Sequence, residues 1–295
     1  CIAIIFFSLI HSKLFLYNKW VDRKRLINLE YLSILELNGE GSFELLQGQI
    51  TSDVSKVSPN RAVIGAICDV KGRVISSFTI ITNSSNNGYF LIGDKNVMVE
   101  TQKILSKYQP FYDVSLILNE SFAFYGIHED LLSEYYPQTD LKVSDQQYDS
   151  IRRVHILDKS YHLLIAENES SIERDNLLNS EDWFLDDINN KNFEISIKSI
   201  GMFTPHELGY HLSSRVDFEK GCYTGQEIVA RMHYRAKKLP SLIIKTSANY
   251  QEDFSKIYDH TKTAIGTVLS CVEHGAIFHY LISMNKNFKE QEFEI

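Results

Sequence analysis

Residues Asp217 to Arg235 read D-F-E-K-G-C-Y-T-G-Q-E-I-V-A-R-M-H-Y-R and bring together one cysteine, two glycines, a Gln-Glu pair and three cations. Gly221 and Gly225 flank Cys222-Tyr223-Thr224 and allow positive φ or close approach to a ligand. Gln226 to Met232 favours helix, with Ile228, Val229 and Met232 spaced to bury one side. Cys222 then lies in a loop ahead of a helix N-terminus, two residues from Lys220. Both features favour thiolate over thiol, the form that acts as nucleophile, redox group or metal ligand. The same residues also suit a Gly-rich turn holding a buried structural cysteine, and local chemistry leaves the two readings level.

Other chemistry is thinner. The histidines, among them His206 and His211, form no H-E-x-x-H and pair with no cysteine at finger spacing, so no dedicated metal site is expected. There is no G-x-S-x-G elbow, P-loop or G-x-G-x-x-G. Trp183 offers a flat indole for a heteroaromatic ring, but from position alone a core place on a helix is the better reading.

The chain has 295 residues, 44% hydrophobic and 23% charged, enough for a substantial core in two or three units. Its net charge of -8 argues against a coat for nonspecific nucleic-acid binding. Between Arg215 and Lys238, however, six cations face three acids, a local excess suited to a small anion. Four scattered cysteines without a C-x-x-C pair suit a reducing, cytoplasmic setting rather than a disulfide framework. Cys1 to Ile10 is apolar but too short to cross a bilayer, so no membrane association is expected, and residues 1–26 are read as an N-terminal extension.

The positioning elements alternate strand and helix. Tyr31–Leu37 reads as a strand, followed by a helix that Ser42 caps, with Phe43, Leu46, Ile50 and Val54 on one stripe. Arg61–Val70 and Arg73–Thr82 form a hairpin turning at Gly72, then come a strand at Tyr89–Ile92 and a helix capped by Asn96 and ended by Pro110. A second set has strands at Val114–Leu118, Phe122–Ile127, Ile151–Leu157 and Tyr161–Ala166, helices near Glu129–Tyr136 and Ser170–Asn179, and a helical piece from Glu181. After Pro240 only short β-rich runs remain, as in a small barrel. The units are 27–115, 116–239 and 240–295.

Taken together these residues resemble the YgfZ family of folate-binding proteins, relatives of the glycine-cleavage T-protein (aminomethyltransferase). Lys220-Gly221-Cys222-Tyr223-Thr224-Gly225-Gln226-Glu227 is similar to its K-G-C-Y-x-G-Q-E; Gln47 to Val54 is similar to Q-G-Q-[VL]-T-x-D-V; Cys68 to Arg73 is similar to C-D-x-K-G-[RK]. The resemblance implies an α+β fold of the aminomethyltransferase type: two interlocked α+β units around a central channel and a C-terminal β-barrel. It implies bound tetrahydrofolate, support of iron-sulfur cluster assembly or repair, a transient iron-sulfur cluster, and cluster-assembly proteins or iron-sulfur enzymes as partners. Transfer RNA is then affected indirectly, through iron-sulfur enzymes that modify it. Cys222 takes the place of the family's functional cysteine, with Lys220 beside it. Trp183 matches a tryptophan placed by the folate, and Gln49, Asp69, Lys71, Tyr223, Gln226, Glu227, Arg231 and Arg235 are candidate contacts.

The chain also departs from the family. Leu32 stands where a second tryptophan is expected, Arg235-Ala236 replaces R-G, and Phe203 to Gly209 matches F-x-P-Q-x-x-N only in part. The T-protein's catalytic aspartate has no counterpart in Val74-Ile75-Ser76-Ser77. A serine hydroxyl does not replace a carboxylate as base near neutral pH, so one-carbon transfer ranks below the accessory role and Cys222 carries the chemistry.

Overall fold

The computed structural model describes residues 26–83, 87–129, 151–155, 160–167 and 177–285. Expected features at residues 1–25, 130–150 and 168–176, including most of two helices, lie outside them.

Three antiparallel sheets organise the chain. The first contains β2 (Leu32–Asn38), β3 (Val63–Cys68), β4 (Val74–Thr82), β5 (Gly88–Asp94) and β6 (Ser115–Asn119), in the order β3-β4-β5-β2-β6. Two helices belong to it, α1 (Ser42–Gln49) and α2 (Lys95–Leu105). The second sheet contains β1 (Ile27–Asn28), β7 (Phe122–His128), β8 (Ile151–His155) and β9 (Tyr161–Glu167), in the order β1-β7-β9-β8. Ile27 pairs with Gly126 and Asn28 with Tyr125, so the chain segment that leads into the first sheet supplies an edge strand to the second. That exchange interlocks the two units and cuts across the expected boundary at 115, since β6 remains with the first sheet.

Helices α3 (Glu181–Asn189) and α4 (Gln226–Arg235) bracket a long irregular segment containing one 3-10 turn at Tyr210–Leu212. The third sheet follows, with β10 (Ser241–Ser247), β11 (Lys256–Tyr258), β12 (Ala264–His274) and β13 (Ile277–Met284) in the order β10-β13-β12-β11. Among the described residues this unit is a four-stranded sheet, and no pairing closes it into a barrel. It docks on α3 through β12 and β13. Leu242, Leu269, Val272 and Leu281 extend the main core from the first sheet into it.

Local chemistry sets the helix limits. Gly41, not Ser42, is the N-cap of α1, and the helix stops at Gln49. Val54 is buried from a 3-10 turn started by Asp53, whose carboxylate accepts from the Ser55 amide. The expected stripe therefore breaks after Leu46, which with Leu45 buries the helix, while Ile50 and Val54 are buried beyond its end. In α2 the cap is Asp94, two residues before the expected Asn96; its carboxylate accepts from the amides of Asn96 at 2.8 Å and Val97 at 3.1 Å. The buried face is Val97, Met98, Thr101 and Leu105. Between the first and second sheets lies a second core of Ile27, Ile34, Phe90, Phe124, Ile165, Trp183 and their neighbours. Gly126 lies against this indole so closely that an added Cβ would sit 2.7 Å from Trp183 Cε3.

Candidate functional site

The three motifs that stand apart in sequence meet at one junction. Gly225 is the N-cap of α4 with φ +82°, and an added Cβ there would overlap the Asp69 carbonyl oxygen. The hairpin tip Cys68–Arg73 thus presses its backbone on the start of α4. Asp69 shapes that tip, its carboxylate accepting from the amides of Lys71 and Arg73, both at 2.8 Å. Thr224 Oγ1 donates to Gln49 Oε1 at 2.9 Å, and the Tyr223 amide donates to Gln226 Oε1 at 3.2 Å. Gln49, Asp69, Lys71, Tyr223 and Gln226 are therefore brought together.

Lys220 has a different position from the one its sequence neighbours suggest. Its ammonium is buried and donates to three backbone carbonyls at the end of α1: Gln47 at 2.8 Å, Ile50 at 2.7 Å and Ser52 at 3.0 Å. These acceptors match its three protons and the negative end of the α1 dipole. Burial lowers its pKa to about 8, against the opposing pull of Asp53 and Asp217. Lys220 is a clamp between the cysteine loop and α1.

Cys222, by contrast, is exposed. The loop holding it is fixed on both sides, by the Lys220 clamp and by the Gly225 contact, while its thiol faces solvent. Glu227 lies in the first turn of α4, where a carboxylate complements the dipole, and Arg235 lies in the last. Lys71, Glu227, Arg231 and Arg235 are exposed, the two arginines further along α4 from the Cys222 loop. Cys68 is the other cysteine at the junction, but burial, aided by Asp69, pushes its thiol up to about 12. Only Cys222 of the two is chemically accessible.

A second assembly was invisible in the sequence. Arg215, 1% exposed, donates to Gly65 O at 3.2 Å, to Asn192 Oδ1 at 3.2 Å and to both carboxylate oxygens of Glu194. Its guanidinium also lies 4.6 Å from the centre of the Tyr210 ring. Ser77 Oγ donates to Glu194 at 2.6 Å and accepts from the Ile195 amide at 2.7 Å. A carboxylate thus does reach the Ser76-Ser77 strand, supplied by the irregular segment. Trp183 hydrogen-bonds Tyr31, whose ionisation is pushed up by burial and by Asp187 and Glu194. Trp183 belongs to the core between the sheets rather than to the Cys222 junction, and is 3% exposed. Residues 215–220 connect the two assemblies: the Arg215 carbonyl accepts from Thr51 Oγ1 at 2.6 Å, and Lys56 pairs with Asp217.

A third cluster packs His206, His211 and His233 beside α4, with His233 stacked on Phe218 at 3.8 Å. His206 is 1% exposed and neither ring nitrogen has a hydrogen-bond partner. Burial lowers its pKa from 6.5 to about 4, helped by His211 and His233, and His211 is lowered by burial and His233. Because the folded values are depressed, stability is full above pH 6.5 and declines as pH falls toward 4. The expected loss from His206 is about 3 kcal/mol. Urea midpoints from pH 7 to 4.5 should show this decline, and His206→Gln should flatten it; a parental midpoint constant over that range would refute the assignment.

No protein-family model matches the chain. It is 28% identical over 233 residues to the tRNA-modifying protein YgfZ of Colwellia psychrerythraea, covering 75% of this chain and 71% of that protein. To the protein of the same name from Photorhabdus laumondii it is 29% identical over 222 residues, 71% and 67% of the two chains. With that of Escherichia coli the identity is 25% over 291 residues, 92% and 88%. Among solved structures, the aminomethyltransferase T of the glycine cleavage system from Bartonella henselae superposes with a TM-score of 0.64 at 12% identity, over 88% of this chain and 77% of that one. The fold is thus of the aminomethyltransferase type. Among the described residues no helix is long and apolar enough to cross a membrane.

Proposed function

We propose, for a chain that resembles the YgfZ proteins over most of its length, a cytoplasmic tetrahydrofolate-binding accessory role in iron-sulfur cluster assembly or repair, and through it in tRNA modification. The observation that carries this reading is the exposed thiol of Cys222, mounted on a junction built by all three motifs. The similarity to tRNA-modifying proteins supplies the link to tRNA. An iron-sulfur cluster is cargo in this scheme, and Cys222 is its point of contact. Lys220 holds the loop through its three carbonyl contacts.

The residues present fit part of a folate. Glu194, whose side chain is 36% exposed above the buried Arg215, offers carboxylate oxygens to the amino and ring N–H donors of a pterin. Arg231 and Arg235 suit the ligand's glutamate. Trp183 turns almost no face to solvent, so it fits support of Tyr31 better than stacking. Folate when bound would carry one-carbon or redox chemistry; the chain's own part is to bind and orient it.

Two measurements test the proposal. In cells lacking the protein, Cys222→Ser is expected to restore iron-sulfur enzyme activities no better than an empty vector; full restoration would remove the thiol from the scheme. Calorimetry with tetrahydrofolate is expected to show binding that Glu194→Gln weakens at least about tenfold. No binding by the parent would sink the folate reading. The second reading, a folate-dependent aminomethyltransferase, is favoured by the Ser77–Glu194 contact and predicts methylene-tetrahydrofolate from an aminomethyl donor. Both carboxylate oxygens already face Arg215, which places that reading second.

A further inference from the structure

We propose that His206, His211 and His233 form a binding site for a borderline transition-metal dication of the Zn2+ or Fe2+ class. This reverses the expectation of no metal site, which rested on sequence spacing. His233 comes from α4 and meets the pair from the irregular segment only in the folded chain.

Four buried ring nitrogens in this cluster have no hydrogen-bond partner: both of His206, Nδ1 of His211 and Nδ1 of His233. A neutral imidazole carries one donor and one lone pair, so each orphan leaves an unmet polar group in the interior. All three residues contribute an orphaned Nδ1, the donor set of a three-histidine site with an open position. Ring centres are 4.7 Å apart for His206–His211, 6.0 Å for His206–His233 and 6.4 Å for His211–His233.

Nitrogens bound about 2.0–2.1 Å from one tetrahedral ion place ring centres about 5 Å apart. The first pair already meets that spacing. Among the described residues no three such side chains yet stand in ligating geometry. The two pairs that include His233 are wider, so binding requires that side chain to leave its stack on Phe218 and turn toward the other two. A cleft of about 460 Å³ opens on His233 and supplies a route in. Asp53, Asp217 and Glu219 line it together with Arg61 and Lys56, which pairs with Asp217.

The test uses the untagged full chain after chelator treatment, titrated with Zn2+ against a chelating dye, and with Co2+ by visible absorption. One equivalent of Zn2+ and an intense four-coordinate Co2+ spectrum are expected, both retained in Cys222→Ser. His233→Leu and His211→Ala should each weaken Zn2+ by more than the 10–100-fold that lost outer-shell contacts bring. Circular dichroism of these half-buried variants checks that they fold, and His206→Gln provides a third. Substoichiometric Zn2+, as for a site that holds only a water, would overturn the proposal. So would binding lost in Cys222→Ser, or binding undiminished when all three histidines are replaced.

Discussion

Gly225→Ala is expected to destabilise the chain by about 3 kcal/mol or more, and to release α4 from the hairpin tip. Two independent effects combine. Alanine at φ +82° enters the left-handed region, which costs a non-glycine residue about 1–2 kcal/mol. The new Cβ also overlaps the Asp69 carbonyl oxygen and comes within 3.1 Å of the Cys68 Cβ. The first of these is backbone, which no rotamer change moves aside, so strand and helix must part. Gly221→Ala is the matched control in the same loop. It has nothing within 4 Å of an added Cβ and no positive φ, so its effect should stay within about 0.5 kcal/mol. Urea unfolding of the two proteins decides the matter; equal midpoints would show that the Gly225 contact does not hold the junction.

Removing one partner of the Glu194–Arg215 pair should cost about 3–5 kcal/mol, more than the pair itself contributes. Arg215 is 1% exposed, so Glu194→Ala leaves a guanidinium in the interior with only the Gly65 and Asn192 oxygens. The penalty lies in the stranded charge, not in the lost contact. Arg215→Met, made together with Glu194→Ala, should therefore recover much of the stability that the single change loses. A double-mutant cycle by urea unfolding reads this directly. Additive losses would mean that the two side chains act separately. The double variant should still bind folate at least about tenfold more weakly than the parent, which separates its structural role from its proposed ligand role.

The parts of the fold legible in the sequence were those with a period or a punctuating turn. The hairpin of β3 and β4, helix α4 and the helix from Glu181 follow from such signals. The strand Ile27–Asn28 is only two residues long and carries no period of its own. The candidate site divides in the same way. Cys222, Gln49 and Asp69 were marked by local motifs, and the structure brings their segments together. Glu194, Asn192 and Arg215 lie in an irregular segment, where no spacing rule says which side chains meet. Lys220 shows the opposite failure: nearness to Cys222 in sequence suggested shared chemistry, while its side chain crosses to the end of α1. His233 was hidden because its partners come from another segment.

The short strand β1 also sets a clock on synthesis. Ile27 leaves the ribosome early, but its partner Gly126 follows about a hundred residues later. At about 5–20 residues per second, that edge waits some 5–20 s with its backbone groups unpaired. During this interval the first sheet can pair fully, since β6 ends at Asn119. The second sheet then grows onto a strand already anchored in a neighbour. Folding of the two units is in this way made sequential, with the earlier one serving as template for the later.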